Sequence, residues 1–123
     1  MFVPLHSFQH IFVPVEFPPE NKVCWKYQLG DVFYLVSRRG DALECHIAAT
    51  GRAGRLNMRY AADDFIKFCP RVYPWVKMLI APVKMASVAN YCRKIGFKNC
   101  GVHELDGFGM ANVWCFEYTE END

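Results

Sequence analysis

Long apolar runs are missing from this sequence: no stretch approaches the roughly 20 consecutive apolar residues of a membrane-spanning helix. The opening MFVPLHSFQHIFVPVEF also lacks the basic start and small-residue cleavage site of a secretory leader. The expectation is a protein that is intracellular when synthesised and has no membrane partner. Charge of one sign is missing too, since 14 Lys and Arg stand against 13 Asp and Glu. No global field draws the chain to nucleic acid, although Arg52, Arg55, Arg59 and Arg71 leave a local basic cluster open. The six cysteines, Cys24, Cys45, Cys69, Cys92, Cys100 and Cys115, include no C-x-x-C pair. That spacing speaks against a zinc ribbon and a dithiol redox motif, and most of them read as small buried hydrophobes. There is no internal repeat and no low-complexity segment.

What is present is apolar substance: 52% hydrophobic and 15% aromatic residues in 123 positions, enough for one domain with its own core and too little for two. Three regions differ in character. Residues 1–20 hold Pro4, Pro14, Pro18 and Pro19 among Phe2, Phe8, Ile11, Phe12 and Phe17, which rules out one long helix and is too apolar to stand free in water. This reads as an arm packed on the domain or on a partner, with Phe2, Phe8, Phe12 and Phe17 as partner-binding side chains. His6 and His10 share a spacing of four, but the nearby prolines and the lack of further ligands give no metal site. Residues 21–119 form the domain, and 120–123 an acidic tail.

Within the domain, KVCWKYQ, VFYLVSR and ALECHIAAT are rich in β-branched and aromatic residues and separated by Gly-Asp turns, the pattern of a three-stranded antiparallel meander. In the third run Leu43, Cys45 and Ile47 alternate with Glu44, His46 and Ala48, giving one core face and one more polar face. Thr50-Gly-Arg-Ala-Gly-Arg55 reads as a loop. From Leu56 the period becomes helical through Tyr60, Phe65, Phe68 and Cys69 until Pro70, a helix of about three to four turns. VKMLIAPV is a strand buried on both faces, a second helix runs from Ala86 to Ile95 with Gly96 as its left-handed cap, and KNCGVHELDG and NVWCFEYT close the chain as two strands. The class is α+β.

The order meander, glycine loop, helix, buried strand, helix, G-F, two closing strands resembles the larger part of the fold of the GCN5-related N-acetyltransferases, the GNAT family. The resemblance spans Lys22 to Tyr118. It is carried by Arg93-Lys94-Ile95-Gly96-Phe97, similar to the family's helix ending Y-x-K-x-G-F, and by Gly51-Arg52-Ala53-Gly54, which stands where the family has Q/R-x-x-G-x-G/A. The resemblance implies a mixed sheet with splayed central strands, the splay falling between VKMLIAPV and the strand after Gly96. It also implies a coenzyme site at Gly51, Arg52, Gly54 and Arg55, where helix N–H groups hold a pyrophosphate. Glu44 or His46 would then be the base, and Cys92 stands where the family's proton-donating tyrosine is usual.

Three departures from the family pattern bear on function: the shortened loop motif, Cys92 for tyrosine, and Met85 for a frequent asparagine. They favour a non-catalytic GNAT-like module without a cofactor that docks to other proteins, virion components or a second copy of itself. Small phage-encoded head-assembly and internal virion proteins are similar in pattern, which would place the chain in the host cytoplasm and then the virion. The alternative is an acetyl-CoA-dependent N-acetyltransferase.

Overall fold

The structure, a computed structural model, describes residues 2–6, 23–28, 31–105 and 109–119. Seven strands form one sheet: β1 (Phe2–Leu5), β2 (Val23–Tyr27), β3 (Val32–Arg39), β4 (Ala42–Ala49), β5 (Met78–Val83), β6 (Lys98–Leu105) and β7 (Gly109–Glu117), in the spatial order β1-β2-β3-β4-β5-β7-β6. Helix α1 (Gly51–Val72) links β4 to β5, and α2 (Ala86–Lys94) links β5 to β6. The expected meander is β2-β3-β4, antiparallel throughout, with β3 and β4 in register from Val32↔Ala49 to Arg39↔Ala42 around a tight turn at Gly40.

β4 and β5 are parallel, and β5 and β6 both run antiparallel to β7, so the two helices are crossovers advancing the same way along the sheet. Right-handed crossovers of that kind place both helices on one face. Tyr27, Tyr34, Val36, Leu43, Cys45, Leu79 and Trp114 of that face form a single core with Ala61, Phe65 and Cys69 of α1 and Cys92 of α2. The opposite face carries two smaller apolar clusters, Cys24, Phe33 and Leu35, and Ile80, Val113 and Cys115. Between them lie three buried polar side chains, Ser37, Glu44 and His46.

Four expectations are corrected. Phe2 is not an exposed anchor for a partner: β1 pairs with β2 at the sheet edge, and Phe2 is buried with Tyr27, Tyr34, Phe65 and Phe68 around it at ring-centroid distances of 4.8–6.0 Å. Phe8, Phe12, Phe17 and residues 120–123 lie outside the described residues. The stretch Gly51 to Arg55 is not a loop but the first turn of α1. Gly51, at φ +67°, makes the sharp exit from β4 that a side chain would strain, and the residues after it continue as helix.

Pro70 likewise does not stop α1, which is 22 residues long. A proline there withholds the N–H that would bond to the carbonyl of Ile66, and the Tyr118 hydroxyl donates to that carbonyl instead, at 2.5 Å. Finally, the splay is not between VKMLIAPV and the strand after Gly96. β7, whose Val113, Trp114 and Cys115 are all buried, takes the place beside β5, and β6, exposed along all but its last residue, is left at the edge. The strands that part are β4 and β5.

Candidate functional site

β4 and β5 pair only over Ala42↔Met78, Leu43↔Leu79 and Glu44↔Ile80. Beyond that point they diverge, while the other edge of β5 stays bonded to β7 through Val83. The backbone of Cys45 to Ala49 therefore turns an unpaired edge toward the gap, and such an edge must find partners or water. On the helix side of the gap lies a cavity of about 40 Å³, its walls including Tyr34, Cys45, Ile47, Phe65, Tyr91 and Cys92.

The chain enters α1 at the mouth of this gap. Thr50 makes no side-chain cap, and the first turn holds no acidic residue. The leading N–H groups of α1 are thus left with the positive end of a six-turn helix, and Arg52 stands exposed beside them. Gly51, Arg52 and Gly54 of the sequence reading all fall here; the side chain of Arg55 lies outside the described residues. The site fits an anion such as a pyrophosphate on the chemistry of its donors: a set of free N–H groups, one guanidinium and no competing carboxylate in that turn.

On the opposite face, Glu44 and His46 come together, but not on the half-exposed surface expected for them. Both are buried, and Glu44 is fully enclosed. Its Oε1 accepts from Arg39 Nε, and its Oε2 meets His46 Nε2 at 2.9 Å. Both carboxylate oxygens of Glu44 are thus engaged. His46 sits two residues past the last β4–β5 pair, so strand alternation puts its ring on one side of the gap and the cavity formed by Cys45 and Ile47 on the other.

Cys92 does enter the cavity wall, yet burial pushes its thiol up to about 11, and no base is paired with it among the described residues. A thiol kept protonated is neither a nucleophile nor an acyl carrier. Tyr91, next to it on α2, lines the same cavity. Its hydroxyl donates to the carbonyl of Met58 in α1 at 2.6 Å, and burial raises it to about 12. The sequence reading missed Tyr34 altogether. Its alternation within VFYLVSR marks it as core, whereas the meeting of its buried hydroxyl with that of Tyr91 on α2 becomes visible only in three dimensions. Met85, the third departure from the family pattern, is exposed at the start of α2.

No protein-family model matches the sequence, and no curated protein matches it either. Solved structures do match. The ribosomal-protein-S18-alanine N-acetyltransferase of Escherichia coli superposes with a TM-score of 0.66 at 16% identity, over 98% of this chain and 96% of that one. A GNAT family acetyltransferase of Elizabethkingia anophelis with acetyl-CoA bound gives 0.68 at 12% identity, over 96% and 97%. An IAA acetyltransferase of Bacillus cereus gives 0.70 at 11% identity, over 96% and 99%. The chain has the GNAT fold, from end to end of these small enzymes. At such identities the likeness establishes the fold and nothing finer.

Proposed function

We propose that the chain is an N-acetyltransferase that takes acetyl-CoA in the gap between β4 and β5. The observation that carries this reading is the uncapped start of α1 at the mouth of a gap that opens onto an apolar cavity. The shortened loop motif is one of the three departures that speak against a coenzyme. As the first turn of a helix, the same residues leave up to about four N–H groups without intrahelical partners, which restores the donors that the loop lacked.

Acetyl-CoA, when bound, would supply an acyl group activated as a thioester, with coenzyme A leaving as the free thiol once the acyl carbon has bonded to the amine. Gly51, Arg52 and Gly54 would hold its pyrophosphate, and the unpaired edge of β4 would bond the extended arm. His46, held against Glu44 through Nε2, would be the group that takes the proton an attacking amine loses. Glu44, fixed by Arg39, would keep the ring in place.

A second reading keeps the fold as a non-catalytic docking module, such as a virion assembly protein. It draws support from the enclosure of Glu44 and from Cys92 at the expected proton-donor position. Calorimetry with acetyl-CoA, followed by transfer to a panel of amines, separates the two. The enzyme reading expects micromolar binding, weakened about tenfold by Arg52→Glu, and transfer that His46→Gln abolishes without loss of binding. Binding without transfer to any amine would favour the module, and no binding at millimolar acetyl-CoA would defeat the coenzyme site.

A further inference from the structure

We infer that Cys100 and Cys115 are a thiol–disulfide site, closing reversibly into a bond that staples the edge strand β6 to β7. The inference stands apart from the coenzyme reading and concerns the face of the sheet away from the helices. There Cys115, 8% exposed, packs with Ile80 and Val113. Cys115 is paired with Lys98, and Cys100 follows Lys98 by two residues, so strand alternation brings both thiols to the same face. In a regular ladder two such diagonal neighbours stand near the limit of what a disulfide spans. The ladder is not regular here. Between Asn99↔Trp114 and Val102↔Asn112, Cys100 and Gly101 face Val113 alone, a bulge that Gly101 accommodates at φ +92°. Cys100 Sγ turns back along its strand to 3.7 Å from the carbonyl oxygen of Lys98, the residue opposite Cys115. The two thiols come within hydrogen-bonding reach of each other.

Access divides the pair and sets the order of events: Cys100 is exposed, and the other five cysteines are buried. Cys100 is therefore the thiol that meets a small-molecule disulfide such as oxidised glutathione. As the thiolate, its proton passed to water, it attacks one sulfur of that oxidant; the glutathione S–S bond breaks, one glutathione leaves as a thiolate that takes up a proton, and Cys100 carries the other as a mixed disulfide. The Cys115 thiol is held up to about 12 by burial first and by Cys100 second, and capping Cys100 removes the second cause. Cys115 then loses its proton to water, attacks the Cys100 sulfur beside it and expels the second glutathione. Two protein thiols have given up two electrons, and one glutathione disulfide has become two thiols. With one sulfur at the surface, the bond is of the labile kind that reducing thiols reopen.

The test incubates the full chain, Cys100→Ser and Cys115→Ser in glutathione buffers of stepped ratio, traps free thiols with N-ethylmaleimide and maps the peptides by non-reducing mass spectrometry. The parent should yield a Cys100–Cys115 cross-linked peptide that retains no glutathione and reopens in dithiothreitol. Cys115→Ser should stop at the glutathione adduct of Cys100, and Cys100→Ser should keep all its thiols. Because the folded ladder holds the two sulfurs together, the bond should be favoured roughly tenfold or more in the folded chain over the chain in urea. A parent that keeps glutathione on Cys100, links two chains through it, or stays fully reduced in oxidised glutathione alone would overturn the inference, as would a bond equally favoured in folded and unfolded chain. Should Cys115→Ser fail to fold, the parent's cross-link map and its folded-to-unfolded ratio decide the matter without it.

Discussion

Helix α1 continues past Pro70 because a side chain from the far end of the protein supplies what the proline cannot, and that substitution can be measured. Pro70 has no N–H for the carbonyl of Ile66, which accepts from Tyr118 Oη at 2.5 Å. Tyr118→Phe keeps the ring, which packs edge-on against Phe116 at 5.2 Å, and removes only the donor. The loss of one such bond to a partly buried carbonyl costs about 1–2 kcal/mol. In a domain of this size that is a drop in Tm of about 3–6 °C per kcal/mol. Pro70→Ala restores a backbone N–H to the same carbonyl. Tyr118→Phe should therefore cost much less in the Pro70→Ala background, with a coupling of about 1 kcal/mol between the two sites in a double-mutant cycle by urea denaturation. Equal costs in both backgrounds, a coupling below about 0.3 kcal/mol, would refute the claim that Tyr118 replaces the proline's missing donor.

The ion pairs should separate sharply by burial. Glu44→Ala removes an enclosed carboxylate that pairs with the part-exposed Arg39 and the buried His46 and should destabilise by about 1–3 kcal/mol, whereas Asp41→Ala, whose pair with Lys77 spans 3.7 Å at the surface, should change stability by less than about 0.5 kcal/mol in the same denaturation assay. Burial holds the folded thiols of Cys24 and Cys92 up to about 11 and that of Cys115 up to about 12, against 9.0 when unfolded. The unfolded chain thus sheds these protons first, so their contribution is fully present below pH 9 and is lost as the pH rises toward 12. Urea midpoints should fall above pH 9, and a flat profile to pH 11 would contradict the burial. Gly51→Ala meets no atom within 4 Å but must hold φ near +67°, so it should cost about 1–2 kcal/mol by strain alone.

Much of this architecture is legible because strand and helix periods are written in the apolar residues: the bounds of β2, β3 and β4 follow KVCWKYQ, VFYLVSR and ALECHIAAT to within two residues. What was not legible depends on partners distant in sequence. Pro70 is a helix breaker until Tyr118, 48 residues on, is known to satisfy Ile66. The order of β6 and β7 hinges on which strand has two apolar faces, and the alternation in NVWCFEYT hid the burial of Val113 and Cys115 behind that of Trp114. At the site, the alternation of Glu44 and His46 against Cys45 and Ile47 was read correctly, but a face that looked polar turned out to be a buried ion-paired one. Residue type cannot distinguish a carboxylate in water from one held between an arginine and a histidine.

That trio, two of whose members are buried, bears on whether the gap is a working site or a remnant. An enclosed carboxylate held by Arg39 and His46 is a poor device for stability, because the desolvation of the charges offsets most of their attraction. A scaffold would be served as well by apolar side chains of the same size. That cost lies at the opening between parallel strands, and removing it tests whether the proposed reaction is what it serves. The combined substitution Arg39→Met, Glu44→Leu and His46→Leu should leave stability unchanged or raise it by about 1–4 kcal/mol, while abolishing transfer to amines and sparing acetyl-CoA binding. A triple variant that fails to fold would assign the trio to structure and return the weight of argument to the docking module.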